Sequence, residues 1–467
     1  MPTRGIPSCR PRHSLPRRSF PIAQGIPCRG NARQPRFFMH ADSSTNARLY
    51  DRNFLLAMAS QTSFVVANTL MAHYARWIEF LGGNILQVGW IMGGGAVLGL
   101  VLRPWMGQGI NRLGPRITWL IGYAVFAIGT FGNLLLGDLG LGIYMLRSCL
   151  VLGAAIVFTS SLTYITRVAP PQRQTEAIGI LGSGGFIGML LGPVLGDLIL
   201  SSAERTYGDF VVLFVAAGLG SLIPAVLVCL MKTPRHRDKE SSVRLVDFLQ
   251  TTVRYWPGSV VLVNIAFGVC MTVPFVFLAS YVDQDNLRIP GLSIIGLFFW
   301  CYAGWGMVVR VSLRRLPERW GRRKVLLTGM LFMSSGMFCF WLVDAAHPAM
   351  IAIPALLTGT GHGLMFHTMM SLTVASFPAP VRGTGSALAL MTLDMGTIIG
   401  APVLGQIAES AGFPLMFTVI GGFSFLAAAL FAYASVPLWQ QQAQSRRELE
   451  KVPAAAPVQL AAEESAA

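Results

Sequence analysis

The chain has 467 residues, 53% of them hydrophobic and only 12% charged, which is too apolar for a soluble globule, whose charged share is about a quarter. Its net charge of +15 would suit a nucleic-acid partner if it covered one face, but the positive residues are sorted between loops instead. That excludes a soluble fold and a nucleic-acid partner, and makes membrane lipid the surroundings the composition demands.

Residues 1–52 form a basic arm, expected to be disordered. Its first 38 residues are rich in Arg and Pro and contain neither an acid nor an apolar core segment, so they are not a secretory signal, and Met39 is the expected start, with a disordered basic arm or a transit peptide as the alternatives. Apolar runs long enough to cross a hydrocarbon core, which takes about 20 helical residues, then recur twelve times. Spans 1 to 6 are expected near Asn53 to Ile78, Gln87 to Met106, Ile117 to Leu136, Leu141 to Ile165, Ala177 to Leu200 and Phe210 to Met231. A charged linker at 232–257 separates them from spans 7 to 12, near Ser259 to Tyr281, Ser293 to Leu313, Val325 to Val343, Met350 to Val374, Gly385 to Ala408 and Leu415 to Pro437. A Gln-, Ala- and Glu-rich tail at 438–467 reads as a solvated end.

Of 36 Lys and Arg, three lie within spans (Arg103, Arg147, Arg310) and three on one set of loops (Arg76, Arg205, Arg288); the rest lie on the other set. This asymmetry predicts that both termini and the linker are cytoplasmic. Five of the seven cysteines sit inside apolar spans with neither metal-ligand nor disulfide spacing. No phosphate-binding loop occurs, so nothing supports ATP as an energy source, and no cofactor or metal is expected.

The two halves repeat. Shifting by 207 lays Arg310 on Arg103, Arg319 on Arg112, Gly321 on Gly114 and Arg323 on Arg116. A shift of 209 lays Pro402 on Pro193 and Gly405 on Gly196. The expected fold is therefore an all-α membrane protein: twelve transmembrane helices in two pseudo-symmetric six-helix bundles, 53–231 and 258–437, the organisation of a secondary transporter with two rocking halves. "GQGINRLGPR" and "RRLPERWGRRK" are the two copies of a short basic hairpin, the first joining spans 2 and 3 and the second spans 8 and 9.

On these residues the chain resembles the major facilitator superfamily, whose hairpin signature G-x-x-x-D-R-x-G-R-[RK] is met here by Gly107, Arg112, Gly114 and Arg116. Asn111 stands at the family's Asp and Pro115 at its first Arg of the closing pair. The second copy keeps an acid, Glu318, with Arg319, Gly321, Arg322 and Arg323. Glycine serves the reversal of a tight turn, and the arginines can pair with an acid and with helix C-termini as a conformational latch. Setting topology alone is the competing role. In span 5, Gly179, Gly188, Gly192, Pro193 and Gly196 fit a pattern similar to that of proton-linked exporters in this superfamily, with Asp197 in place of its closing glycine. Close helix packing alone is the alternative.

Ionisable groups inside spans are candidate sites because lipid makes them expensive. Asp394 lies in mid-span and resembles an acid of some bacterial exporters; it is a candidate proton or substrate site, or a packing hydrogen-bonder. Arg147 is the expected cation near it, unless it pairs structurally. His362 and His367 lie about 140° apart on one helix, which argues against a shared metal; one is a candidate to line the central cavity while the other packs, and a structural role for each is the alternative. The family resemblance places spans 1, 4, 7 and 10 around the central path, making Asn68 and Asn264 candidate cavity residues. Arg103 and Arg310 are expected to support the gate or hairpins. Together these readings imply a monomeric, proton-coupled exporter of small molecules in a cell membrane. Uptake of a sugar or organic acid is the alternative on the same fold, and a receptor or enzyme is the alternative of another class, with neither a soluble domain nor a clustered nucleophile and base to recommend it.

Overall fold

A computed structural model describes residues 51–168, 174–201, 204–231, 245–314, 316–378 and 381–435. The basic arm up to residue 50, the tail from 436 and linker residues 232–244 lie outside the described residues. Hydrocarbon offers a backbone no hydrogen-bond partners, so each apolar run closes its own bonds as a helix. Among the described residues eleven helices are long and apolar enough to cross a membrane, and the last, Thr384–Ala434, is two spans in one. Gly412 divides it at φ 82°, a left-handed conformation that costs glycine little, so the helix breaks there and spans 11 and 12 run on either side. The other spans are Arg52–Phe80, Ile85–Met106, Pro115–Leu135, Leu141–Ile165, Ile180–Ile199, Tyr207–Cys229, Val260–Gln284, Ile294–Ser312, Arg322–Leu342 and Pro348–Ala375.

Helix starts follow the sequence. Asp51 accepts the Phe54 N–H at 2.7 Å, and Asn84 with Gln87 forms a reciprocal capping box at the head of span 2. The linker is not a plain loop: Leu245–Arg254 is an amphipathic helix that buries Phe248 and Thr252 against the helix carrying spans 11 and 12.

The two basic hairpins turn on Gly114 (φ 85°) and Gly321 (φ 90°), each in the left-handed region at the start of the next helix. The repeat extends to their arginines. Arg116 donates to the Cys229 carbonyl at 2.6 Å, at the end of span 6, and Arg323 donates to the Ala432 and Ser435 carbonyls at the end of span 12. Each guanidinium thus satisfies carbonyls that a helix C-terminus leaves bare, where the helix dipole favours a cation. The side chains of Asn111, Arg112 and Glu318 lie outside the described residues, as does that of Gly107, while Arg319 and Arg322 are exposed.

Within the first half, span 5 packs on span 1 through the glycine pattern. A Cβ at Gly188 would overlap Val65, at Gly192 Thr69 and at Gly196 His73. The closeness is used: Thr69 donates to the Gly188 carbonyl at 3.0 Å, and His73 Nε2 meets the Pro193 carbonyl at 2.8 Å. The surroundings of Gly179 lie outside what is described. Between the halves, span 2 packs on span 11, span 5 on span 8, and the ends of spans 1 and 7 meet. Gly89 backs onto the Ala401 carbonyl and Gly93 onto Pro402, so the span 2 and span 11 backbones nearly touch.

Candidate functional site

Two clusters of charge join the halves. The first lies at the end of the bundle away from the basic hairpins and centres on Arg76. Although reckoned above among the loop arginines, Arg76 is part of span 1 and its side chain is 3% exposed. It forks onto Asp283 of span 7 through Nε and Nη2, both at 2.8 Å, and reaches Asp197 of span 5 through Nη1 at 2.6 Å. Arg205, also on the loop side in the sequence reading, donates to Asp283 at 2.9 Å. Ser293, which caps span 8 by accepting the Gly296 N–H, donates to the other oxygen of Asp197. His73 Nδ1 accepts from Arg76 Nη1 at 3.1 Å and its Nε2–H donates to the Pro193 carbonyl at 2.8 Å, which fixes the neutral tautomer. Three groups of the first half (Arg76, Asp197, Arg205) are thereby tied to two of the second (Asp283, Ser293).

The second cluster is a single pair within the spans. Arg103 of span 2 donates Nε to Asp394 of span 11 at 2.9 Å, with Nη2 on the same oxygen. The side chains are 8% and 19% exposed. Asp394 pairs with Arg103 and not with Arg147, the cation expected near it, and Arg103, expected to support the gate or hairpin, bridges the two halves. The reason is geometric. Glycines bring spans 2 and 11 so close that Arg103 reaches Asp394 sideways, whereas Arg147 on span 4 is held elsewhere.

Arg147 lies over the Tyr74 ring at 5.0 Å, its stem filling the space beside Gly95, with Nε buried and without a hydrogen-bond partner. Among the described residues no carboxylate lies within ion-pair distance of it, and the same is true of Arg310. Arg310 does not face its hairpin either; it crosses to span 5, over the Phe186 ring at 5.2 Å and against Gly182. His362 is buried in an aromatic box of Phe186, Phe267, Tyr302 and Phe366, and its Nδ1 pairs with the Tyr302 hydroxyl. A π-turn at Trp300–Gly304 carries Tyr302. His367 Nε2 is buried with no partner, and the two histidines do not share a ligand geometry; no metal-holding cluster occurs among the described residues. Asn264 sits at a three-helix junction, donating to Thr373 at 3.1 Å and Thr392 at 3.0 Å, so it ties spans 7, 10 and 11 rather than facing open space. Asn68 is half-buried on the face of span 1 that also carries buried Gln61.

Sequence reasoning missed Asp283 and His73 and gave Asp197 no partner. A signal was present: Asp283 follows Arg76 by 207 residues, the spacing of the repeat itself. Opposite charges at equivalent positions meet because the equivalent ends of spans 1 and 7 lie together between the halves.

Comparison with known proteins agrees with this architecture. The chain is 22% identical over 352 residues to the staphylopine export protein of Staphylococcus aureus, covering 73% of this chain and 85% of that one. It is 22% identical over 376 residues to the vesicular acetylcholine transporter unc-17 of Caenorhabditis elegans, covering 75% and 67%. The crystal structure of a D-xylose-proton symporter superposes with a TM-score of 0.65 at 15% identity, over 81% of this chain and 96% of that one, which speaks to the fold alone. The sequence profile of the Major Facilitator Superfamily matches residues 53–319 and 313–461. Twelve spans in two repeated halves, joined across spans 2 and 11 and across spans 5 and 8, are the body of a multi-pass membrane transporter, and the chain belongs to the major facilitator superfamily.

Proposed function

We propose that this chain is a proton-coupled exporter of small organic molecules, working as a monomer in a cell membrane with its termini and basic hairpins on the cytoplasmic side. The observation that carries the reading is the Arg103–Asp394 pair, a titratable carboxylate inside a span whose one charged partner among the described residues belongs to the other half. Charged, Asp394 holds Arg103 and so holds span 2 to span 11. Protonated, it is a neutral acid that lipid-embedded helices tolerate, and the ion pair with Arg103 falls to a weaker hydrogen bond between a cation and a neutral acid. Proton uptake therefore loosens a contact between the halves, and proton release restores it, which is what coupling to alternating access needs. The Arg76 cluster closes the opposite end and has to open in the other half of the cycle. Export as the direction rests on the likeness to the staphylopine export protein and on the span 5 glycines.

The solute need not be known to test this. Cells expressing the wild type, Asp394→Asn or neither are compared by untargeted metabolite profiling of cytosol and medium, with and without a protonophore. The expected result is a set of compounds lowered in the cytosol and raised in the medium by the wild type, and lost both with the protonophore and in Asp394→Asn. Asparagine keeps the size and hydrogen bonding of the site but cannot titrate. Compounds raised in the cytosol instead establish uptake, and export of undiminished size by Asp394→Asn removes the residue from coupling.

A further inference from the structure

The repeat sets Arg103 at the contact of spans 2 and 11 and Arg310 at the contact of spans 5 and 8, and among the described residues it gives an acid partner to Arg103 alone. Arg103 on span 2 and Arg310 on span 8 are equivalent under the 207-residue shift, and each crosses to the partner half, Arg103 to span 11 and Arg310 to span 5. Asp394 answers Arg103. The 209-residue shift that relates spans 11 and 5 carries Asp394 onto Gly185. Gly185 is one turn along span 5 from Gly182, which with Phe186 is one of the two residues against which Arg310 lies. A Cβ at Gly185 would meet nothing within 4 Å, so the place where the missing acid would stand is open space.

Arg310 is correspondingly under-served. Its Nη1 makes a long 3.4 Å contact to the Gly182 carbonyl, its Nε is buried with no partner, and its remaining support is the Phe186 ring. On span 10, Gly359 backs onto Tyr302 and Gly363 onto Gly306 and Val309 of span 8; one turn further along that face comes His367, whose Nε2 is likewise buried and unpartnered. A guanidinium served by one long carbonyl contact and a ring face, and an imidazole nitrogen without a partner among the described residues, carry a desolvation cost that is only partly offset. An anion that enters the space offsets it, and a planar fork of N–H donors matches a carboxylate or phosphate edge.

We propose that Arg310 binds an anionic oxygen group of the transported solute, a carboxylate or phosphate, in the space beside Gly185 that corresponds to Asp394 in the other half. The inference rests on the transporter reading and adds the substrate class. It gives the repeat a division of labour. At one contact the counter-charge is built into the chain and exchanges a proton; at the other it arrives with the cargo. His367 stands by as a second donor to the same group.

The test uses the full chain purified in detergent, with thermal unfolding followed in succinate, in inorganic phosphate and in chloride at equal ionic strength. The wild type should unfold at least about 2–4 °C higher in succinate or phosphate than in chloride. Gly185→Asp, which places the acid in the chain, should lose that rise while itself folding normally in chloride. Arg310→Gln should lose it too, and Gly185→Ala, which adds bulk without charge into open space, should keep it. A wild type indifferent to both anions, or a rise that persists in Gly185→Asp, overturns the proposal. A response only to added phosphatidylglycerol makes the occupant a lipid headgroup and overturns it as well. The transport reading stands apart from these outcomes: protonophore-sensitive export of neutral or cationic compounds would sink the anion site and leave the coupling role of Asp394 intact.

Discussion

Arg76→Met is expected to destabilise the folded protein by about 3–5 kcal/mol, the cost of leaving buried charges without their partner. Methionine fills the stem of the arginine but leaves Asp283 with Arg205 alone and Asp197 with only the Ser293 hydroxyl, and it deprives His73 Nδ1 of a donor. Thermal unfolding in detergent should show a drop in Tm on the order of 10 °C. The companion variant separates charge from packing. Adding Asp197→Asn and Asp283→Asn to Arg76→Met removes the stranded carboxylates and should recover most of the loss, since the penalty belongs to uncompensated charge. If Arg76→Met unfolds within a degree of the wild type, the cluster does not hold the halves together. If the triple variant is no better than the single one, the loss lies in packing around span 1 and not in charge.

The second large effect is expected at the pair inside the spans. Arg103→Asp sets two carboxylates against each other at the contact of spans 2 and 11, and Asp394→Arg sets two guanidiniums there; either should cost at least about 3 kcal/mol and sharply reduce the yield of monodisperse protein. The reversed pair, Arg103→Asp with Asp394→Arg, restores opposite charges across the same narrow gap and should recover most of the yield and of Tm. Recovery in the double variant identifies the interaction as one between these two side chains, because neither residue shares another charged partner among the described residues. Equal failure of the single and double variants would mean that the two side chains are held by their separate surroundings and that the bridge is incidental.

Much of this fold was legible because lipid imposes a simple rule. The twelve apolar runs became twelve spans, mostly within three residues of their expected ends, and Gly114 and Gly321 turn the hairpins because only a residue without a Cβ takes those angles cheaply. Arg116 and Arg323 reach helix C-termini, as their repeat and the helix dipole suggest. What periodicity does not carry is the pairing of side chains from distant spans. Asp394 stands out in the sequence as an ionisable group in mid-span, but the choice of Arg103 over Arg147 depends on how closely spans 2 and 11 approach, which follows from Gly89, Gly93 and Pro402 interlocking. Asn264, polar and on a span expected at the centre, turned inward to two threonines because neighbouring helices offered hydroxyls. The Arg76 cluster was hidden in a different way. Each of its charges lies near a span end, where a loop residue and a buried ion pair read alike, and only the 207-residue spacing between Arg76 and Asp283 distinguishes them. The linker helix Leu245–Arg254 went unseen because its apolar stripe is too short to stand out beside true spans.

The central claim is that protonation of Asp394 lets the two halves exchange which end is closed, and distances across the bundle test it most directly. Two pairs of repeat-equivalent, exposed positions suit spin labels: Leu113 with Trp320 at the hairpin end, and Leu135 with Leu342 at the opposite end. Pulsed electron–electron resonance on cysteine variants of each pair, in lipid nanodiscs and across a pH series, should show two populations at each end. Lowering pH should shift the two ends in opposite senses, one lengthening as the other shortens. In Asp394→Asn each pair should show a single distance that does not respond to pH. Distances at the two ends that move together or not at all, or an Asn variant that keeps the wild-type pH response, would contradict proton-driven alternating access through Asp394.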